Sequence, residues 1–300
     1  MKLTSHTLKT IAMPLCMVVG AVFCRKIAWV DSMSHGLITP VLIFLMLFFT
    51  YCGVDARKMR PSFMHLWLLL FQIVGSVAVY YTLWQWNEVV AQGAMICILT
   101  PVAMAAVVIG GMLGANVATM ASFSLLCNIV IACIAPSVLY HFGNGECTTA
   151  QILQRVVVLL IVPFIVGQFS RVAMPKVAAW VGRHRQMSFY MWLMSLIVIM
   201  GRTTNFLLTH EADSRVEITL AAVALVVCLV QFGVGRLIGR RYNDAVAGGQ
   251  SLGQKNTILA VWLSQAFLDP VSSVAPTAYI VWQNLVNSFQ LYRKGQRENS

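Results

Sequence analysis

A single charged side chain lies in the middle of a long apolar segment of this sequence. Lys255 occurs in the stretch GGQSLGQKNTILA, residues 248–260, among glycines and amide side chains. It is fourteen residues from both Arg241 and Asp269, or about 21 Å from each along a continuous helix. Its side chain is too short to reach water over that distance. An ammonium group placed there could neutralise helix ends, bind an anion or exchange a proton.

Two apolar segments contain residues that can interrupt a helix. Thr100-Pro101 lies near the centre of one, where proline removes a helix hydrogen bond and clashes with the preceding turn. Gly248, Gly249 and Gly253 surround the centre of the other. Broken helices at matching positions of two inverted halves indicate a binding site at the membrane midplane. The alternative is that Pro101 only kinks its helix and the glycines only permit close packing.

The composition is that of a multi-pass membrane protein. Of 300 residues, 59% are hydrophobic and 10% are charged, with a mean hydropathy of +0.76, whereas soluble domains carry about 25% charged residues. The formal charge of +11 is better explained by basic loops on one membrane face than by nucleic-acid binding. The eight cysteines lie mostly in apolar segments without a CxxC spacing, so neither a disulfide framework nor a zinc site is expected.

We expect an all-α polytopic fold of ten transmembrane helices forming one transmembrane domain over residues 1–300. A membrane helix needs about 20 mostly apolar residues. Ten spans divide into two halves of five, residues 1–145 and 146–300, and an odd number per half inverts the second half. The basic connection 172–186 could form an amphipathic surface helix. The predicted spans are 10–30, 36–54, 63–84, 90–112, 115–141, 152–171, 187–209, 216–235, 245–267 and 271–292.

The basic residues predict the orientation. With a cytoplasmic N-terminus, fifteen of the 21 lie on the cytoplasmic side and five on the other side, and Lys255 is the remaining one. This asymmetry follows the positive-inside rule with both termini in the cytoplasm.

In six segments the chain resembles the bile acid:sodium symporter superfamily. The segments are LTP at 99–101, GANV at 114–117, AP at 135–136, LIVPFIVGQFSR at 160–171, GQKNTILA at 253–260 and VWQN at 281–284. The resemblance implies two inverted five-helix repeats with spans 4 and 9 broken and crossing. It also implies secondary transport by alternating access between a panel and a core domain. The segments in spans 6 and 9 look closest to a bacterial subgroup, which implies the cytoplasmic (inner) membrane.

The chain departs from this family at the sodium-binding places. In span 9 the family's glutamate, glutamine and asparagine fall on Ser251, Lys255 and Asn256, and other ligand places fall on Ala106-Val107 and Met120. A hydroxyl is kept at Ser124. Sodium needs oxygen ligands, and a fixed ammonium would repel it. We therefore expect no cofactor: sodium is possible, but its usual ligands are largely missing.

Lys255 then takes the place of a coupling cation, and three roles are open to it. A lysine at the bilayer centre costs about 2.5–3.5 kcal/mol on insertion scales, so we expect it to have a structural or functional role. The ammonium could hold the carbonyl ends of the broken helices together, or it could gain and lose a proton and couple transport to protons. It could instead contact an anionic substrate directly.

The expected substrate site lies where the two breaks meet spans 5 and 10. No carboxylate occurs among its residues, which favours a small organic anion such as a carboxylate or sulfonate. Buried amides also commonly join helices to one another. The candidate substrate-binding residues are Thr100, Ser124, Asn128, Gln254, Asn256, Gln283 and Asn284, and Ser251 joins Lys255 as an ion-coupling candidate.

Other classes of protein fit the sequence less well. No HExxH motif occurs, and although residues 249–253 (GQSLG) match the GxSxG pattern, the histidines lie in loops or at span edges, so an enzyme is not expected. A channel or signalling-type membrane protein would usually carry repeated polar rings or an extra domain. A metalloid exporter of the same fold would carry a cysteine just after Pro101, where Val102 stands. The expected partners are the organic anion and the lipid bilayer, without nucleic acid, and the sequence leaves the oligomeric state open.

Overall fold

The computed structural model describes residues 15–53, 61–103, 105–143, 148–184, 186–209 and 214–298. Within these ranges the chain forms helices, turns and one isolated β-bridge, without a β-strand. The prediction of an all-α fold is therefore confirmed for the described chain. Residues 10–14 of the first predicted span and the boundary between the two halves at 145–146 lie outside these ranges.

The helices follow the predicted apolar segments closely, and the predicted segment 63–84 coincides with one helix. A 3₁₀ helix, Pro270–Ser273, precedes the last one. The helices are α1 (15–22), α2 (Cys24–Met33), α3 (Ile38–Gly53), α4 (Phe63–Trp84), α5 (Glu88–Leu99), α6 (Ala105–Leu113), α7 (Val117–Phe142), α8 (Thr149–Ala173), α9 (Pro175–Arg183), α10 (Gln186–Thr209), α11 (Ser214–Arg240), α12 (Ala245–Gly253), α13 (Thr257–Phe267) and α14 (Val274–Glu298).

Four described helices are long and apolar enough to cross a membrane, namely α4, α7, most of α8 and α11. A fifth crossing results if α2 and α3, which are bent by 83° relative to each other, count as one broken span. These helices indicate a membrane protein, as the composition predicted. The count of ten spans stays a prediction.

The chain divides into two compact units, and each unit is built from two separate stretches. The first unit comprises the described residues of Met1–Val54 and Val158–Ala212, and the second those of Asp55–Val157 and Asp213–Ser300. The division falls inside α8, between residues 157 and 158.

In the first unit, α10 packs against α1, α2 and α3. A Cβ added at Gly20 would lie 2.6 Å from the Ile197 carbonyl oxygen, which shows how closely α1 approaches α10. An ion pair joins α2 to α10, with Arg202 Nη1 3.2 Å from Asp31 Oδ2. The predicted helix in the 172–186 connection is present as α9, which buries Ala178 while its neighbours are exposed.

The second unit is built around α5, which is buried from Val90 to Leu99. A helix that is apolar on all sides is stable only inside a protein or a membrane. In this protein α5 is enclosed by α4, α7, α11, α13 and α14. Asn87 caps its first turn by accepting a hydrogen bond from the Val90 amide at 3.0 Å, which satisfies one of the free donors at a helix start.

Glycines bring α11 and α12 unusually close together. A Cβ at Gly248 would lie 2.2 Å from the Gly235 carbonyl oxygen, and one at Gly235 would lie 2.3 Å from the Gly248 carbonyl oxygen. The prediction that Gly248 and Gly249 break a helix is wrong, because α12 runs through both and ends at Gly253. These glycines are needed because a side chain would separate the two helix backbones.

Candidate functional site

Both predicted interruptions are present, each between two short helices. α5 ends at Leu99 and α6 begins at Ala105, with Pro101 in the gap as predicted. α12 ends at Gly253 and α13 begins at Thr257. Each gap leaves carbonyl groups at the end of the first helix and amides at the start of the second without a partner inside the helix. Such groups must find partners when they are buried.

The two gaps supply partners to each other. The Ala103 amide donates to the Gln254 carbonyl at 2.9 Å, and the Asn256 amide donates to the Pro101 carbonyl at 2.9 Å. Together they form an antiparallel β-bridge centred on Val102 and Lys255. We call this paired segment, residues 100–103 and 254–256, the crossing. An antiparallel pair has a local two-fold axis, so Val102 and Lys255 occupy equivalent places in the crossing.

Lys255 is buried in the crossing, with 1% of its surface exposed. Its Nζ donates a hydrogen bond of 2.8 Å to the Ile98 carbonyl oxygen in the last turn of α5. Among the described residues no carboxylate forms an ion pair with it. The opposing charge is the negative end of the α5 dipole, since the carbonyls of a last helical turn carry about half an elementary charge.

Two glutamines cap the carbonyls on either side of the one that the lysine contacts. Gln231 Nε2 donates to the Cys97 carbonyl at 3.2 Å. Gln72 Nε2 donates to the Leu99 carbonyl at 2.7 Å and to the Thr100 carbonyl at 3.0 Å. Sequence reasoning missed both glutamines. The available signal was a single amide in the middle of each of two apolar spans, FQIVG in α4 and LVQFG in α11.

An uncharged group caps the end of α12. The Tyr279 hydroxyl donates to the Gly253 carbonyl at 2.9 Å and accepts a hydrogen bond of 2.9 Å from Gln231 Nε2. Gln231 therefore connects the carbonyl end of α5 with that of α12. Of the two helix ends at the crossing, only the α5 end receives a charged donor among the described residues.

Amide side chains join α12 to α14 beside the crossing. Gln250 Nε2 donates to Asn287 Oδ1 at 2.8 Å, and Asn287 Nδ2 donates to Gln254 Oε1. Gln283 Oε1 accepts a hydrogen bond of 3.0 Å from the Lys255 backbone amide. The predicted residues Gln254 and Gln283 thus lie together at the crossing, and both take part in contacts between helices.

Three other predicted residues bond to their own helices. The Thr100 hydroxyl donates to the Ile96 carbonyl at 2.6 Å, and Asn284 Nδ2 donates to the carbonyl four residues earlier at 2.6 Å. Asn256 Oδ1 caps the first turn of α13 by accepting from the Leu259 amide at 3.3 Å. Local bonding of this kind positions Thr100 and Asn256 at the crossing itself.

Two of the buried predicted residues carry polar atoms that lack a hydrogen-bond partner in the described structure. Asn128 Nδ2 donates to the Ser124 carbonyl at 2.7 Å, whereas Asn128 Oδ1 and the Ser251 hydroxyl are unpaired. Unpaired buried polar atoms cost about 1–3 kcal/mol each. They therefore mark places where a ligand or a water molecule would be stabilised.

A cavity of about 590 Å³ lies away from these residues, where α7 and α12 begin. It is lined by the capping residues Ser62, Asn116 and Asp244, together with Thr119 and Tyr242. None of the predicted substrate-binding residues lines this cavity.

The described residues contain no group of three or more histidine, cysteine, aspartate or glutamate side chains that could hold a metal ion. No family model matches the chain, and no curated protein sequence matches it.

Proposed function

We propose that this protein is a secondary transporter that moves a small organic anion across the membrane by alternating access. The observation that carries the proposal is the antiparallel pairing of two interrupted helices around a buried lysine. Interrupted helices at corresponding places of two halves are the arrangement by which transporters build binding sites at the membrane midplane. The resemblance to the bile acid:sodium symporter superfamily points to the same function.

The division of the chain into two units supports this proposal. The two units alternate along the chain, so that each unit takes one stretch that starts in the first half and one that lies in the second half. Such interleaving is expected when two inverted five-helix repeats each supply helices to a panel and to a core. We assign the unit of Met1–Val54 and Val158–Ala212 to the panel, and the other unit, which holds the crossing, to the core.

Coupling to sodium of the family's usual kind is altered or absent in this proposal. By the resemblance, Ala106 and Met120 stand at two of the ligand places, and both are buried and lack a side-chain oxygen. The Lys255 ammonium already donates to the α5 carbonyl end, where a cation would otherwise be bound. A cation beside a fixed ammonium is repelled strongly at the low dielectric of a buried site.

The electrostatics of the crossing favour a negative substrate. Its formal charge comes from Lys255, while α6 and α13 begin at the crossing and present the positive ends of their dipoles. The excess of basic residues on one side supports an orientation with both termini in the cytoplasm, and the bacterial resemblance supports a location in the cytoplasmic membrane.

Transport by purified protein in proteoliposomes tests the proposal. Uptake of a panel of carboxylates and sulfonates is measured with sodium present or replaced, and with or without a proton gradient. The variants are Lys255→Gln and, as a control, Lys176→Gln, which removes an exposed lysine of α9. We expect saturable, sodium-independent uptake by the wild type and by the control, and altered uptake by Lys255→Gln.

The outcomes separate the alternatives. Loss of the response to a proton gradient in Lys255→Gln would identify the lysine as the coupling group. Sodium-dependent uptake by the wild type would show that Lys255 does not replace the cation. Flux that does not saturate would indicate a channel, and absence of flux for every anion would refute the proposed function.

A further inference from the structure

The Lys255 ammonium has more donors than the described structure fills. It carries three N–H groups, and one of them bonds to the Ile98 carbonyl. The titratable groups that interact electrostatically with the ammonium are the thiols of Cys127 on α7 and Cys97 on α5. Thiols are weak acceptors, so they do not satisfy the remaining N–H groups.

The carbonyls next to Ile98 would be the natural second and third acceptors. An ammonium at the end of a helix can reach more than one carbonyl of the last turn. Here the carbonyls on both sides already receive amide donors, Gln231 on one side and Gln72 on the other. Both glutamines are fully buried, so neither is drawn away to solvent.

We propose that Gln72 and Gln231 are positioning residues that reserve two N–H groups of Lys255 for the anionic group of the substrate. This inference rests on the proposed function and specifies the chemistry of its site. By taking one lone pair of each neighbouring carbonyl, the glutamines make these carbonyls poorer acceptors for the ammonium, which favours its single bond to Ile98. The two remaining N–H groups match two oxygens of one carboxylate or sulfonate, which form strong charge-assisted hydrogen bonds.

The hydroxyl of Ser251, in the last turn of α12 before the crossing, is a further buried donor in this part of the chain. It lies four residues before Lys255, is buried, and has no partner in the described structure. Because Lys255 is almost fully covered, the anion reaches it when the surroundings of the crossing open to one side of the membrane, as alternating access requires.

Removing either glutamine should weaken anion binding through Lys255. In Gln231→Met the Cys97 carbonyl loses its donor, and the ammonium can take this carbonyl as a second acceptor. One N–H group is then lost to the anion, which corresponds to about a tenfold to hundredfold weaker affinity. Gln72→Met frees the Leu99 carbonyl and should act in the same direction.

The experiment measures anion binding to the purified full-length protein in detergent by calorimetry and thermal shift. The probes are acetate and methanesulfonate, the smallest molecules that carry the two anionic groups. Gln72→Met and Gln231→Met are each made in the wild type and in Lys255→Gln. The matched control is Gln92→Met, since Gln92 is also buried and caps a carbonyl, that of Phe142 at 3.0 Å, at the other end of α5.

We expect both glutamine variants to weaken binding of at least one probe in the wild type and to have no further effect in Lys255→Gln. The control should lower thermal stability without changing affinity. Equal effects in both backgrounds, or an effect of Gln92→Met as large as the others, would show that the glutamines are only structural. Absence of Lys255-dependent binding of either probe would also overturn the inference. If binding follows the expected pattern but proteoliposomes transport no anion, only the proposed function fails.

Discussion

Substitution of Gly248 by alanine tests the close approach of α11 and α12, on which the position of the crossing depends. The added Cβ would lie 2.2 Å from the Gly235 carbonyl oxygen and 2.9 Å from the backbone of Gly239. Contacts under 3.0 Å are essentially never made by real Cβ atoms. Both neighbours are backbone atoms, so a side-chain rotation cannot relieve the clash.

The expected cost follows from the separation that the methyl group enforces. The helices must move apart by roughly 1 Å, which opens gaps along their contact and forfeits dispersion energy. Overpacking of a tight interface costs about 1–3 kcal/mol, and sometimes more. Alanine is favoured over glycine within a helix by about 1 kcal/mol, which offsets part of this cost. Because the clash is with backbone atoms, we take the upper end of that range, and the net loss of about 2 kcal/mol should lower the melting temperature by about 4–8 °C.

Thermal unfolding of the purified protein in detergent checks this expectation. Gly233→Ala is the matched control, because Gly233 lies in α11 with nothing within 4 Å of an added Cβ. The control should melt at or slightly above the wild-type temperature. If Gly248→Ala melts within about 1 °C of Gly233→Ala, the two helix backbones do not approach each other as described.

Three further substitutions test the ion pair, a helix cap and the lysine. Asp31→Asn should cost about 1–3 kcal/mol, between a buried and an exposed pair, because it loses its 3.2 Å contact with Arg202; a double-mutant cycle with Arg202→Met that gives no coupling would contradict this. Asp244→Ala should cost about 1–2 kcal/mol, because Asp244 caps α12 and also accepts from the Asn116 amide at 2.8 Å. Asp244→Asn should retain most of that stability in the same melting assay, and equal melting of the two variants would refute the cap. The free energy of unfolding of Lys255→Gln should lie within about 1 kcal/mol of the wild-type value, since the lost charged hydrogen bond is offset by relief of charge burial. A decrease of more than about 3 kcal/mol would show that the lysine is mainly structural.

The sequence predicted the helices well, because a buried or membrane-spanning helix must be a long apolar run. The predicted segment 63–84 coincides with α4. The segment 245–267 contains α12, the break and α13. Pro101 located the other break correctly, since proline has one dominant effect inside a helix. Patterns with a single physical cause are therefore read reliably from sequence.

The glycines of α12 were misread because two causes produce the same pattern. A helix break and a close helix–helix approach both require a residue without a Cβ. Only the position of Gly235 in space distinguishes them at Gly248. The sequence carries the requirement for glycine but not the identity of the neighbour that imposes it.

The glutamines at the α5 end could not be predicted for a related reason. Gln72 and Gln231 are single amides in apolar spans, and their acceptors lie 27 and 134 residues away in the chain. A buried amide in a membrane must find a partner, so the sequence implies a contact for each. It does not show that both contacts fall at one helix end, on the carbonyls on either side of the one that Lys255 binds.

The asymmetry of the crossing explains why one lysine is sufficient to make the crossing electrostatically positive. Val102 and Lys255 are equivalent by the local two-fold axis of the antiparallel bridge, yet only one of them is charged. At the α12 end the Gly253 carbonyl is capped by the neutral hydroxyl of Tyr279, whereas at the α5 end Ile98 receives the ammonium. A second buried ammonium at position 102 would add a like charge and about 2.5–3.5 kcal/mol of insertion cost. One charge therefore sets the electrostatic sign of the crossing, while neutral donors hold its backbone together, and binding of an anion would leave those neutral contacts unchanged.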